Sequence, residues 1–173
     1  MIERTHDATF LNQVINHPEV RPWMGEPDAG ELDLGPLLTS GYAFGIVEPE
    51  CGGFVVIYQG GEDYEIHTMF LPEKRGPIAM NAAREAVDYI FDITDCERLY
   101  TQLPNGNGPA KFLAIRMGMV RVPDRPSAWR ERGGEGEDWL LTKDAWLKRR
   151  TQERRTKMEA DILEPPCRSQ QQS

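Results

Sequence analysis

Hydrophobic positions change their spacing along the chain, and this spacing predicts both helices and strands. Within residues 5–20, Phe10, Leu11, Val14 and Ile15 stand at helical intervals. Short apolar runs separated by turn residues then predict three adjacent strands in an antiparallel arrangement. These runs are YAFGIVE (42–48), GGFVVIYQ (52–59) and YEIHTMFL (64–71).

The second half of the chain carries longer helical patterns. Its predicted elements are an alanine-rich helix over 77–94, a strand over 98–103 and a helix that begins within 105–119 and has Gly118 as its C-cap. Strands over 119–122 and 138–142 and a helix over about 144–162 follow. A strand–helix–strand crossover makes its two strands parallel. The sequence therefore predicts an α+β fold, with a mixed, mostly antiparallel central sheet flanked by helices and a C-terminal helical extension.

The composition of the chain argues against several classes of protein. The 173 residues include 20 Lys and Arg against 28 Asp and Glu, a net charge of −8, which disfavours a general nucleic-acid binder. No run approaches the roughly 20 apolar residues that span a bilayer, so we expect a soluble, cytoplasmic protein. Cys51, Cys96 and Cys167 are odd in number and far apart, which argues against a disulfide framework and against a zinc site.

Positive charge is concentrated near the C-terminus. Residues 143–157 contain seven basic and two acidic side chains, a local charge of +5, so the remaining residues carry −13. A basic helix on an acidic body indicates either a docking element for a protein partner, through residues 144–162, or a solvated helix in which Glu153 pairs with its basic neighbours.

Two stretches resemble the GNAT N-acetyltransferase superfamily. FLPEKRG (70–76), followed by the alanine-rich helix, is similar to the cofactor-binding strand–loop–helix of that family. NGNGPAKFLAIRMGM (105–119) is similar to its Asn-led helix. The residues that carry the second similarity are Asn107, Ala110, Leu113 and Gly118, with Met119 in place of the usual Phe.

Three stretches resemble more closely a subgroup found in tailed bacteriophages. This resemblance implies a phage-encoded protein in the cytoplasm of the host cell or in the virion. It divides the chain into a GNAT-like domain, 1–142, and a basic helical extension with a polar tail, 143–173. The three stretches are NHPEVRPWMG (16–25), HTMFLPEKRG (67–76) and TDCERLYTQLPNGN (94–107).

The resemblance implies acetyl-CoA as the cofactor. Backbone groups of a strand would pair with the pantetheine arm, and a loop entering a helix would hold the pyrophosphate through main-chain N–H groups and the helix dipole. The small residues that the family requires after Arg75 fall here on Ile78 and Met80. The residues implied in cofactor binding are Met69, Phe70, Leu71, Arg75, Gly76, Ala79, Asn107 and Ala110.

Glu65 and His67 are the predicted catalytic pair. Alternation along the strand places both side chains on one face, and by resemblance this strand faces the acetyl group. A carboxylate beside an imidazole can move a proton from an amine. In many members of the family, a tyrosine seven residues after the motif asparagine acts as the general acid. This chain has Ala114 at that position.

Two functions stay open from the sequence. The first is an acetyl-CoA-dependent N-acetyltransferase that moves an acetyl group to an unknown amine. The second is a catalytically degenerate GNAT-fold phage structural or virion assembly protein that binds other proteins. The acceptor loops, around 18–42 and 123–137, carry no decisive pattern. The tryptophans are interpreted as core or interface anchors: Trp23, Trp129, Trp139 and Trp146.

Overall fold

A computed structural model of the chain describes residues 1–25, 30–123 and 136–163, which form a seven-stranded sheet with helices on both faces. The strands are β1 (Glu3–Thr5), β2 (Ala43–Glu48), β3 (Gly52–Gly60), β4 (Asp63–Phe70), β5 (Arg98–Pro104), β6 (Val120–Arg121) and β7 (Gly136–Thr142). The helices are α1 (Thr9–Ile15), α2 (Gly35–Leu38), α3 (Pro77–Ile93), α4 (Gly108–Met117) and α5 (Lys143–Leu163).

The strands lie in the order β1-β2-β3-β4-β5-β7-β6. Neighbouring strands run antiparallel except β4 and β5, which are parallel because α3 crosses over between them. The structure confirms the predicted α+β fold, the antiparallel arrangement of the three strands now numbered β2 to β4, and the parallel crossover. The predicted C-terminal helix is present as α5.

Two hydrophobic cores cover the two faces of the sheet. The first core lies under α3, α4 and the start of α5, and the second lies under α1 and α2. Alanines along α3 let that helix approach the sheet closely, because they bury no more than a methyl group. Large buried members of the first core are Phe54, Phe91, Ile90 and Leu99; those of the second are Leu11, Val14, Leu38 and Met69.

Short elements were not predicted. The strand Glu3–Thr5 and the helix Gly35–Leu38 have three and four residues, too few for a hydrophobic period to show. The predicted polar tail beyond residue 163 lies outside the residues that the structure describes.

Helix α5 has an anchored half and a projecting half. The Trp146 side chain is buried in the first core, and its indole N–H donates to Asp88 Oδ1 on α3 at 2.7 Å. The Arg150 guanidinium pairs with Asp88 at 3.0 Å and with Asp92 at 3.5 Å. In contrast, every residue from 151 to 160 is exposed. None of the helices within the described ranges, α5 included, combines the length and the apolar character that crossing a membrane requires.

Candidate active site

Strands β4 and β5 separate over most of their length. Their parallel pairing covers residues 63–65 and 98–100, whereas β4 continues to Phe70 and β5 to Pro104. On their outer edges both strands stay paired, β4 with β3 and β5 with β7. The unpaired stretch between the two strands, the β4–β5 gap, therefore extends from the paired residues, its narrow end, to the carboxyl ends of the strands, its open end, where α3 and α4 begin. Crevices at the carboxyl ends of parallel strands are common ligand sites.

The edge of β4 presents main-chain groups to the gap. The Leu71 N–H donates to the Cys51 carbonyl at 3.0 Å, so Leu71 and Met69 direct their main-chain groups toward β3. By alternation, Thr68 and Phe70 direct theirs toward the gap. Among the three predicted backbone contacts, Phe70 thus faces the gap, while Met69 and Leu71 face the neighbouring strand. Cofactor binding by these groups stays a prediction.

Helix α3 begins beside the carboxyl end of β4. Its N-cap, Gly76, has a φ of +77°, which favours glycine, and a Cβ atom at this position would meet no atom within 4 Å. The Met80 N–H donates to the Gly76 carbonyl at 2.9 Å, so the N–H groups of Ile78 and Ala79 have no acceptor within the helix. The Ile78 side chain is 42% exposed, and Met80 packs against the first core. The space beside the Gly76 Cα, at the positive end of the helix dipole, is therefore open.

The Arg75 side chain bonds to two main-chain carbonyls. Its Nε donates to the Phe70 oxygen at 3.3 Å and its Nη2 donates to the Glu19 oxygen at 3.2 Å. Arg75 therefore ties the end of β4 to the segment that follows α1. Its predicted contact with the cofactor stays a prediction.

Helix α4 begins on the β5 side of the gap. Asn107 is its N-cap, and the Asn107 Oδ1 accepts a hydrogen bond from the Ala110 N–H at 3.2 Å. Ala110 packs against the first core. The predicted C-cap is confirmed, because Gly118 ends the helix in the left-handed conformation with a φ of +83°. The two residues predicted to bind cofactor on α4 thus also fix the first turn of that helix.

A cavity of about 140 Å³ lies at the start of α4, lined by residues 103–108, Lys111 and Glu137. The Glu137 carboxylate pairs with the Lys111 ammonium at 3.0 Å and accepts a hydrogen bond from the Trp139 indole at 3.2 Å. The bond from Lys111, more than any other contact, lowers the pKa of Glu137. An ionised carboxylate with these partners joins α4 to β7. No pattern in the sequence indicated this contact, since Lys111 and Glu137 lie 26 positions apart along the chain.

Glu65 and His67 meet on β4. The His67 Nε2 lies 3.0 Å from the Glu65 Oε1, which confirms that the two side chains share a face of the strand. The Glu65 side chain is 8% exposed and that of His67 is 29% exposed, so the imidazole is the more accessible group. Glu65 stands in register with Tyr100 of β5, at the narrow end of the gap. A buried carboxylate can hold an imidazole in one orientation for proton transfer, and the catalytic role of the pair stays a prediction.

Trp23, interpreted from the sequence as a core or interface anchor, is not fully buried, and its place near the carboxyl end of β5 was not predicted. Trp23 is 37% exposed, and its Cη2 lies 4.0 Å from the place of a Cβ atom on Gly106, in the loop between β5 and α4. Trp139 and Trp146 are buried, as predicted for core anchors. Two parts of the predicted acceptor loops, residues 26–29 and 124–135 with Trp129, lie outside the described residues.

Comparison with solved structures identifies the fold. No protein-family model matches the sequence, and no curated protein matches it. A spermidine N-acetyltransferase from Vibrio cholerae, in complex with CoA and spermine, has a TM-score of 0.63 and 17% identity, over 84% of this chain and 98% of the other. An aminoglycoside acetyltransferase in complex with coenzyme A has a TM-score of 0.66 and 14% identity, over 87% and 99%. A GNAT-family acetyltransferase from Bacillus anthracis has a TM-score of 0.61 and 17% identity, over 83% and 95%. The chain therefore has the fold of the GNAT acetyltransferases.

Proposed function

We propose that the protein is an acetyl-CoA-dependent N-acetyltransferase that moves an acetyl group to an amine. The observation that carries this proposal is the β4–β5 gap, with main-chain groups along the edge of β4, the start of α3 at its open end and the Glu65–His67 pair at its narrow end. The spermidine and aminoglycoside enzymes of the same fold were crystallised with CoA, which supports the same cofactor here.

Main-chain groups would hold most of the cofactor. The backbone of Thr68 and Phe70 would pair with the amides of the pantetheine arm, and the N–H groups of Gly76, Ile78 and Ala79 would meet the pyrophosphate. Such a cradle depends on side chains only where they block the approach of the phosphates. The open space at Gly76 therefore supports phosphate binding although the family's small residues are replaced at two positions.

The Glu65–His67 pair would remove the proton from the acceptor amine. Bound acetyl-CoA supplies an activated thioester. His67 would accept the proton from the attacking amine, directly or through a water, while Glu65 holds the ring and balances the charge that it gains. Ala114 has no proton to donate, so the leaving thiolate takes its proton from water or from another residue.

Calorimetry with CoA and an acetyl-transfer assay, with spermidine as the first acceptor, test the proposal. We expect micromolar binding of CoA. Substituting His67→Gln should lower kcat about 100-fold or more, the effect of losing a general base, while the CoA affinity stays the same. The control is His6→Gln, because the His6 ring bonds to the Leu38 carbonyl at 2.9 Å. A folded protein that does not bind CoA at millimolar concentration would overturn the proposal.

A second function, protein binding through α5, is favoured by the projecting half of that helix. Residues 151–160 are all exposed; their charged side chains are the basic Arg154, Arg155 and Lys157 and the acidic Glu153 and Glu159. We propose that this half binds a protein partner. Removing residues 151–173 should abolish co-purification of such a partner and leave CoA binding intact, and association that survives the removal would contradict this role. The resemblance to a phage subgroup, and with it the host or virion location, stays a prediction.

A further inference from the structure

The segment between α1 and α2 reaches across the open end of the β4–β5 gap. The Glu19 carbonyl accepts a hydrogen bond from Arg75, near the end of β4. Four residues later, the Trp23 Cη2 lies 4.0 Å from the place of a Cβ atom on Gly106, just beyond the end of β5. Between them, Val20 is buried in the second core. We call residues 19–23 the strap.

Arg75 fixes the strap to β4. Its guanidinium donates to the carbonyl of Phe70 through Nε and to the carbonyl of Glu19 through Nη2. A planar guanidinium can hold two acceptors in fixed directions at once, which the ammonium of a lysine does not do. Since both acceptors belong to the main chain, the link sets the position of the strap backbone relative to the strand.

We propose that Arg75 is a positioning residue for the acceptor side of the site: it holds the strap so that Trp23 forms a wall of the entrance for a cationic amine. This inference rests on the proposed function. The indole of Trp23 is partly exposed at the open end of the gap, and the face of an aromatic ring attracts a protonated amine. By resemblance Arg75 would contact the cofactor, whereas the bonds of its Nε and Nη2 go to protein carbonyls.

Amide hydrogen exchange in the ligand-free protein tests the link between Arg75 and the strap. The N–H groups of Val20, Arg21 and Trp23 all donate to main-chain carbonyls, so they are protected while the strap is in place. In Arg75→Ala and Arg75→Lys we expect their exchange to accelerate about tenfold or more, because local opening becomes easier. The matched control, Arg116→Ala, changes an exposed arginine of α4 and should leave strap exchange unchanged.

Binding and kinetics separate positioning from cofactor contact. The affinity of Arg75→Ala for CoA should differ from that of the wild type by less than about twofold. Loss of a direct contact between Arg75 and CoA would instead lower the affinity about tenfold, or 1.4 kcal/mol. With spermidine as the probe, Arg75→Ala and Trp23→Ala should raise the KM for the amine about fivefold or more. Trp23→Phe should restore most of that loss, because it keeps an aromatic face.

The outcomes distinguish this inference from the proposed function. Unchanged strap exchange in Arg75→Ala, together with weakened CoA binding, would overturn it and make Arg75 a cofactor residue. Accelerated strap exchange in Arg75→Ala would support the link between Arg75 and the strap. If the wild-type protein nevertheless transfers acetyl groups to no amine, the proposed function and the wall assigned to Trp23 are both overturned. Unchanged KM values in an active enzyme would overturn the wall alone.

Discussion

The Tyr64 hydroxyl fixes the narrow end of the β4–β5 gap. It donates to the Asp95 Oδ1 at 2.7 Å and so joins the start of β4 to the loop between α3 and β5. Burial, assisted by the bond to Asp95, raises the pKa of Tyr64 to about 12. Arg98 pairs with Asp63 at the same end of the two strands. These contacts hold β4 and β5 together at the residues just before the point where the two strands separate.

The raised pKa of Tyr64 predicts alkaline instability. The pKa of a tyrosine in an unfolded chain is near 10, so the stabilisation from Tyr64 is complete below pH 10 and is lost as the pH rises through about 12. We expect Tyr64→Phe to lower the free energy of unfolding by about 0.5–1.5 kcal/mol at pH 8. The difference from the wild type should shrink between pH 10 and 12.

Urea unfolding at several pH values measures this difference. Tyr58→Phe is the control at pH 8, because Tyr58 is an exposed tyrosine on the neighbouring strand and its hydroxyl should contribute less than about 0.5 kcal/mol. A wild-type advantage over Tyr64→Phe that stays constant from pH 8 to pH 12 would contradict this role of the hydroxyl.

The sequence predicted the placement of some neighbouring side chains and not that of others. The shared face of Glu65 and His67 followed from strand alternation, which depends only on local geometry. The bond from Arg75 to Glu19 joins residues 56 positions apart and depends on how α1 packs on the sheet. The approach of Trp23 to Gly106 is also long-range, so neither pattern nor spacing indicated it.

The number of residues in a helix or strand decided whether the sequence could predict it. Helix α3 and the strands β2 to β5 are long enough to show their period in the sequence, whereas β1 and α2 are not. For α5, the sequence predicted the helix but not that it has two halves. Its first part packs through Trp146, and its second part is exposed. The difference arises from the contacts with α3, which local pattern does not record.

The two halves of α5 should differ in their effect on stability. Trp146→Ala removes a buried indole and its hydrogen bond to Asp88, so we expect a loss of about 3–5 kcal/mol in the free energy of unfolding. Removing residues 151–173 should cost less than about 1 kcal/mol, because residues 151–160 are exposed. Urea unfolding measures both changes. A deletion that costs as much as the Trp146 substitution would show that the projecting half packs on the body.

The sheet consists of two parts joined at the narrow end of the gap. Strands β1 to β4 form one part, and β5 to β7 form the other. The direct pairing between the parts covers residues 63–65 and 98–100, and α3 and the first core connect them across one face. A ligand in the gap would therefore contact both parts and replace the strand pairing that is missing there.

This arrangement predicts which amides a cofactor protects. The N–H groups of Thr68 and Phe70 face the gap, whereas the N–H of Met69 faces β3 and is protected without ligand. With CoA at about 100 times its Kd, the stabilisation of about 2.7 kcal/mol should slow exchange at Thr68 and Phe70 up to about 100-fold, whereas Met69 is already protected in the ligand-free protein. Residue-resolved hydrogen exchange measures all three amides in one sample.

The pantetheine arm itself should cause this protection, because in the proposed site it is the part of the cofactor that lies along β4. Adenosine 3′,5′-bisphosphate, which lacks the arm, is the matched ligand control and should leave Thr68 and Phe70 as fast as in the ligand-free protein. Exchange at Thr68 and Phe70 that stays as fast with CoA as without it would mean that the ligand does not lie along β4. In that case the gap between the two parts of the sheet would not be the cofactor site.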